Sequence, residues 1–353
     1  MEGVPKYEKS ANIKIVRFYT PEHNNSFYRQ FISYCFFFAK TLKYAYINRA
    51  RYNCIFSTSS RLGTGVLGYV ISLITKRPLS LDIRDVFSDN LRSLKFFNSF
   101  IGQILINVFR IIEKQIISHA RWVNFVSPGF LNYRHIKRLN KNINLYTNGI
   151  DEIFIKNRNN TFNLREYKNK KTSIIITYAG NLGLGQGLEM IVLPLASYFK
   201  NKIFIQLIGD GSSVNLIKEG IRNKGIKNII LIPPVDRSRL IDYYNNSDMF
   251  LLQLNNTSAF KKVLPSKIFD YGSFDKPILA GVKGVANSFI KKNLPHACLF
   301  EPGDVNPPIK YIESIIKNGL PSINNDDFVK KYSRSNIMDR MLQSIILNNI
   351  IQD

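Results

Sequence analysis

Residues 263–281, VLPSKIFDYGSFDKPILAG, bring together the residue types needed to hold a phosphorylated ligand. Leu264, Pro265 and Ser266 form a short loop that opens a predicted helix carrying Lys267 and Asp270. Pro277-Ile-Leu-Ala then reads as a buried strand ending at Gly281. A helix start offers free backbone N–H groups and partial positive charge, which suit a phosphate. Lys267 adds a full charge beside it. Asp270, three residues on and so on the same helix face, can accept hydrogen bonds from a pair of sugar hydroxyls. Loop, cation and carboxylate at this spacing describe a grip on a nucleotide diphosphate and its ribose. An ordinary capped helix fits the loop equally well.

Such a corner needs a rigid frame, and the sequence predicts one. In the second half, apolar runs at 173–180, 202–211, 228–235, 249–254 and 277–281 read as strands. Helices are expected between them near 187–199, 212–224, 236–246 and 266–273. The first half repeats the rhythm, with strands at 12–20, 54–59, 79–84, 122–127 and 142–148 and helices at 27–48, 63–75 and near 94–119. This alternation predicts an α/β protein of two doubly wound, Rossmann-like domains, whose sheets present their carboxyl ends to a central cleft. Expected boundaries are 1–154 for the first domain, 155–172 for a linker and 173–327 for the second domain. Residues 328–353 should carry one amphipathic C-terminal helix. The linker reads as such because it lacks periodicity and holds six Lys/Arg against one Glu. Gly180-Asn181-Leu182-Gly183 and Gly209-Asp210-Gly211 follow the first two strands of the second domain, where glycine lets the backbone approach a phosphate.

Composition narrows the class. A chain of 353 residues with 45% hydrophobic and 21% charged residues is globular and long enough for two cores. Three scattered cysteines suit a reducing cytoplasm. The four histidines lack ligand spacing, so no metal is expected. Nothing at the start resembles a signal peptide. The uncharged apolar runs 62–75 and 96–109 are 14 residues each, too short to span a bilayer.

Charge is the other strong statement. Forty-nine Lys/Arg against 25 Asp/Glu leave a net charge of +24, which calls for an anionic partner. From His23 to Leu81 there is no acidic residue but eight Lys/Arg, interleaved with aromatics in FYRQFISYCFFFAKTLKYAYINRARY. A basic aromatic surface can lie on anionic lipid headgroups, stack on nucleic acid, or form the solvated rim of a buried helix. No nucleic-acid motif accompanies it, so nucleic acid is not an expected partner.

Four segments then carry a resemblance: YAGNLGLGQGLEMIV (178–192), LIGDGSSVNLI (207–217), LIDYYNNSDMFLLQL (240–254) and the opening segment. Together they resemble the donor-binding half of a GT-B glycosyltransferase of family 4. The LPSKxxEY-like variant paired with AGN…QGL is similar to the subgroup that adds N-acetylfucosamine and related deoxyamino sugars in bacterial O-antigen and capsule synthesis. LDIRDVFSD (81–89) and LYTNGID (145–151) match that family's first domain in order and spacing. The resemblance implies a retaining, metal-independent transferase with no cofactor beyond its nucleotide-diphosphate sugar, expected to be UDP-linked. It also implies a lipid-linked saccharide acceptor on the inner face of the cytoplasmic membrane. The acid-free basic stretch would then lie on the anionic membrane surface.

The departures from that family are specific. Asn181 and Gln186 stand where Arg and Lys often hold the donor diphosphate; with Gly180 and Gly209 they remain donor-binding candidates. The usual pair of glutamates is replaced by Lys262 and Asp270, which leaves Lys267, the helix start at Ser266 and the pair Lys261–Lys262 to neutralise phosphate. Family members begin with a strand, a Gly-rich turn and a helix that this chain does not show, so its first domain is either built short or truncated at the start. Arg84 and Asp85 end a strand of the first domain. Asp85 could orient the acceptor proton and Arg84 touch sugar or phosphate, or the two could pair structurally with Asp82. Asp210, Asp248, Glu301, Trp122, His119 and His135 read as turn, packing or surface residues. A non-catalytic scaffold derived from such an enzyme is the competing function.

Overall fold

Runs of β-branched and aromatic residues, punctuated by Gly and polar turns, build two separate parallel sheets. The structure, a computed structural model, describes residues 5–22, 27–59, 61–90, 99–137, 143–158 and 173–350. It divides into two units. The first holds most residues up to Asn124, with 143–144 and the chain from Ile345; the second holds Phe125–Lys137 and Leu145–Ser344.

The first unit opens with a hairpin of β1 (Tyr7–Ser10) and β2 (Ile13–Val16), paired antiparallel with Tyr7 opposite Val16. This corrects the expectation of a parallel strand at 12–20. A strand inside a parallel sheet needs apolar residues on both faces, and Lys14 and Arg17 interrupt this run. Helix α1 (Phe27–Ile47) follows, then β3 (Ile55–Ser59), α2 (Leu62–Thr75) and β4 (Leu79–Ile83). After α3 (Phe87–Asn90) and α4 (Phe100–His119), β5 (Trp122–Phe125) completes a three-stranded parallel sheet in the order β3-β4-β5. All five residues of β4 are buried, as its central place requires. Residues 94–98 of the expected long helix lie outside the described residues. The strand expected at 142–148 is reduced to one bridge, Asn144 to Asn124, with Leu145 exposed. Aromatic and aliphatic side chains stay at the surface of α1 (Tyr28, Phe31, Phe36) and of α4, where Phe100, Ile104, Val108 and Ile111 share one face.

The second unit begins with α5 (Arg134–Lys137) and α6 (Glu152–Asn157). Six strands follow: β6 (Ile174–Ala179), β7 (Ile203–Ile208), β8 (Ile229–Ile232), β9 (Met249–Gln253), β10 (Ile278–Gly281) and β11 (Cys298–Phe300). Their order is β11-β10-β9-β6-β7-β8 and every pairing is parallel. Between them run α7 (Glu189–Phe199), α8 (Val214–Asn223), α9 (Arg237–Asn246), α10 (Lys267–Gly272) and α11 (Val285–Asn293), with α12 (Asn306–Asn318) after β11. Side chains alternate between two cores. Phe250 and Leu252 enter one cluster, Met249 and Leu251 the other; Ile278 and Ala280 oppose Leu279 in the same way. That period of two, apolar on both sides, is why the strands read as continuous hydrophobic runs.

The single C-terminal helix expected from 328 is two helices, α13 (Asp326–Tyr332) and α14 (Arg334–Ile350). They break at Ser333, where the chain stretches out to bridge Ile150: the Ile150 N–H donates to the Tyr332 carbonyl (2.8 Å) and Arg334 N–H to the Ile150 carbonyl (2.9 Å). Residues 159–172, most of the expected linker, lie outside the described residues. Among the described residues no helix is long and apolar enough to cross a membrane.

Candidate functional site

In the second sheet the chain leaves β6 for one edge and β9 for the other, and ligands of such sheets bind beyond the carboxyl ends of the strands at that reversal. A cavity of about 420 Å³ lies there. Its walls are Gly180 and Asn181 after β6, Gly209 and Asp210 after β7, Pro234 and Val235 after β8, Ser266 just before α10, and Lys267 and Asp270 on α10, with Tyr244 of α9.

Two glycines make the wall possible. Gly180 and Gly209 both adopt φ of +139°, a region that side chains rarely enter. A Cβ on Gly209 would collide with the Gly180 carbonyl, and one on Gly180 would collide with Cε and Nζ of Lys267. Lys267 therefore lies across the bare backbone at the end of β6, with its ammonium 5.0 Å from the ring centre of Tyr178. A cation thus reaches the end of β6 from α10, while Asn181 and Gln186 carry no charge. Because α10 is only six residues long, the fixed positive charge of this corner is chiefly the Lys267 ammonium.

Lys267 and Asp270 shift together. Burial lowers the Lys267 pKa, opposed by Asp270. Burial pushes the Asp270 carboxyl up to about 6, against the pull of Arg237, Arg334 and Lys267. Burial strips solvent from both charges, so an anion beside Lys267 and hydroxyl donors on Asp270 would supply what water no longer does. Beneath them an aromatic cluster fixes the floor. Tyr271 stacks on Phe250 with centroids 4.7 Å apart, Tyr244 meets both edge-on, and the Tyr271 hydroxyl accepts the Ala179 N–H at 3.0 Å. That last bond ties the end of β6 to α10.

The structure thus brings Gly180, Asn181, Gly209, Ser266, Lys267 and Asp270 around one cavity. Gln186 is not part of its lining; its side-chain oxygen accepts the Gly183 N–H (3.2 Å) and braces the loop after β6. Pro265 lies one residue outside, its carbonyl accepting the Ile268 N–H (3.2 Å) at the start of α10. Lys261 and Lys262 line a different cavity. Arg84 and Asp85 belong to the other unit, just past the carboxyl end of β4. There Arg84 pairs with Asp82 at 3.1 Å, Asn124 donates to the same carboxylate at 2.8 Å, and burial raises the pKa of Asp85 against the pull of Arg84.

Several of the residues read as structural have structural partners. Asp248 accepts the Ile175 N–H (2.8 Å), Glu301 pairs with Lys283, Trp122 is buried, and His119 contacts Ser72 at 3.0 Å. Asp210, read as a turn residue, accepts the Gly211 N–H (2.8 Å) and also lines the cavity. His135 falls on α5. Among the described residues no three His, Cys, Asp or Glu side chains gather in a group able to hold a metal ion.

Sequence reasoning missed Asp151, Arg237 and Arg334. Both arginines pair with Asp151, and both act on Asp270. They come from α9, α14 and the turn before α6, so no local spacing joins them. LYTNGID was the one signal pointing at Asp151.

The family described as Glycosyl transferases group 1 matches residues 159–335, half of the chain. The chain belongs to the group 1 glycosyl transferases. Among solved structures, this group 1 glycosyl transferase is similar to sucrose-phosphate synthase from Thermosynechococcus elongatus, with a TM-score of 0.72 and 15% identity over 98% of this chain and 86% of that one. It is also similar to HepE from Anabaena in complex with UDP, with a TM-score of 0.66 and 14% identity over 87% and 81%. A third is α,α-trehalose-phosphate synthase (UDP-forming) from Burkholderia xenovorans in complex with glucose-6-phosphate, with a TM-score of 0.63 and 11% identity over 90% and 80%. At such identities the likeness shows the fold, which is GT-B. No curated protein sequence matches the chain.

Proposed function

We propose that this glycosyltransferase takes its sugar from a UDP-linked donor, an N-acetyl deoxyhexosamine by its resemblance, and passes it with retention to a lipid-linked saccharide in surface polysaccharide synthesis. The observation that carries the donor half is the cavity at the ends of β6 and β7, where Lys267 crosses Gly180 beside Asp270. Lys267 and the backbone at Gly180 and Gly209 hold the diphosphate, and Asp270 accepts from the ribose hydroxyls. A diphosphate leaves readily when cations and N–H groups already face the charge it develops, so the protein itself, without a metal, supplies that stabilisation. The ligands bound to HepE, UDP and UDP-glucose, support a uridine donor.

Arg84 and Asp85 serve the acceptor side, Asp85 orienting the attacking hydroxyl and Arg84 touching the transferred sugar or a phosphate. The Arg84–Asp82–Asn124 contacts equally suit a purely structural pair. A peripheral seat on the inner membrane face is supported by the exposed aromatics of α1 among lysines and arginines, and by the apolar face of α4. The competing function, a scaffold without turnover, shares the fold but not a working donor corner. Calorimetric titration with UDP, GDP and dTDP and their sugars tests the donor half. Binding confined to uridine compounds and lost in Lys267→Ala and Asp270→Ala is expected; a cavity empty of all three nucleotides would overturn it.

A further inference from the structure

A second cavity of the same unit, about 620 Å³, is lined by Lys261, Lys262, Lys292 and Lys331, with Ser288 also on its wall. No carboxylate lines it among the described residues. Like charges gathered on one concave wall repel, and an anion entering there lowers that repulsion.

The wall is built rather than accidental. Lys261 and Lys262 end a 3-10 turn, Phe260–Lys262, whose backbone is clasped from two sides. The Ser127 hydroxyl donates to the Lys262 carbonyl (2.5 Å), and Gly129 packs so closely on that carbonyl that a Cβ would collide with it. Opposite, Gly284 at φ +64° packs equally closely on the Lys261 carbonyl. Two ammonium groups are further placed by aromatic faces: Lys262 Nζ lies 3.5 Å from the ring centre of Tyr133 and Lys331 Nζ 5.2 Å from that of Tyr332. Lys331 also donates to Asn293 (3.3 Å). Lys292 lines the cavity from α11 and Lys331 from α13, so three elements contribute four lysines to one wall.

We propose that this cavity is a diphosphate-anion subsite separate from the donor corner, with which it shares no lining residue. Lysine ammonium groups act as compact point charges suited to phosphate oxygens, and four of them match the charge of a diphosphate better than that of a single carboxylate. The anion is either inorganic or the diphosphate of an ester. The inference does not rest on the donor reading.

The test titrates inorganic pyrophosphate calorimetrically into the full chain carrying Lys267→Ala, so that the donor corner is disabled. Binding is expected there, and adding Lys292→Gln and Lys331→Gln should weaken it at least tenfold, while Lys292→Arg with Lys331→Arg retains it. UDP titration of the Lys292→Gln, Lys331→Gln protein with Lys267 intact should be unchanged; this keeps failure of the donor reading distinct. Pyrophosphate affinity indifferent to the glutamine pair, or no binding in the Lys267→Ala protein, overturns the proposal. Farnesyl diphosphate below its micelle concentration separates the sources. Tighter binding than pyrophosphate, lost in the glutamine pair, assigns an ester diphosphate; weaker binding, lost in the same way, assigns the free anion.

Discussion

At the scale of single residues, the donor corner is a balance between two poorly solvated charges. Removing the ammonium by Lys267→Ala should weaken UDP binding about ten- to a hundredfold, the usual worth of a charge-assisted contact, as read by calorimetry. Asp270 makes a prediction with a sign. Burial raises its folded pKa to about 6, above the ordinary carboxylate value of 3.8, so ionising it costs stability as pH rises from about 4 through 6. Asp270→Asn should therefore stabilise the unliganded protein at pH 8 by roughly 1–2 kcal/mol and leave it unchanged at pH 4, in thermal unfolding. The same substitution should weaken UDP at pH 8, and wild-type affinity should fall below about pH 6. Lys267 and Asp270 were legible in the sequence because three residues of spacing on one helix set their geometry. Arg237, Arg334 and Asp151 were not, because their meeting depends on how α9, α14 and the turn before α6 pack.

At the scale of elements, the strand ends decide the cavity. Gly209→Ala forces a side chain into φ +139° and against the Gly180 carbonyl, so it should cost about 3 kcal/mol and most of the UDP affinity. Gly225→Ala is the matched control: φ is +60° with nothing within 4 Å, and about 1 kcal/mol is expected in chemical denaturation with UDP binding intact. The alternation from β6 to β10 could be read directly, since strands buried on both faces are apolar throughout. The hairpin at the start and the break at Ser333 could not. The hairpin turns through Ala11 at φ +47° without the Asn-Gly or Asp-Gly signature of such turns, and the pairing of Ser333 with Ile150 is a matter of tertiary partners, to which local pattern is blind. The three residues of β11 are too few to register any period.

At the scale of the whole molecule, the net charge of +24 underlies the proposed seat on an anionic membrane. Binding to vesicles rich in anionic lipid should drop about tenfold between 50 and 500 mM salt as the charges are screened, and neutral vesicles should bind little, in a sedimentation assay. The unit that holds the donor corner is also discontinuous along the chain. Residues 125–137 supply Ser127 and Gly129 to the Lys262 carbonyl, although a stretch assigned to the other unit intervenes before Leu145. A ribosome delivers that clasp well over a hundred residues before the turn it grips. Any recombinant fragment begun at residue 145 would leave the grip behind, so the donor half should express poorly as a contiguous piece and recover when 125–137 is grafted onto it.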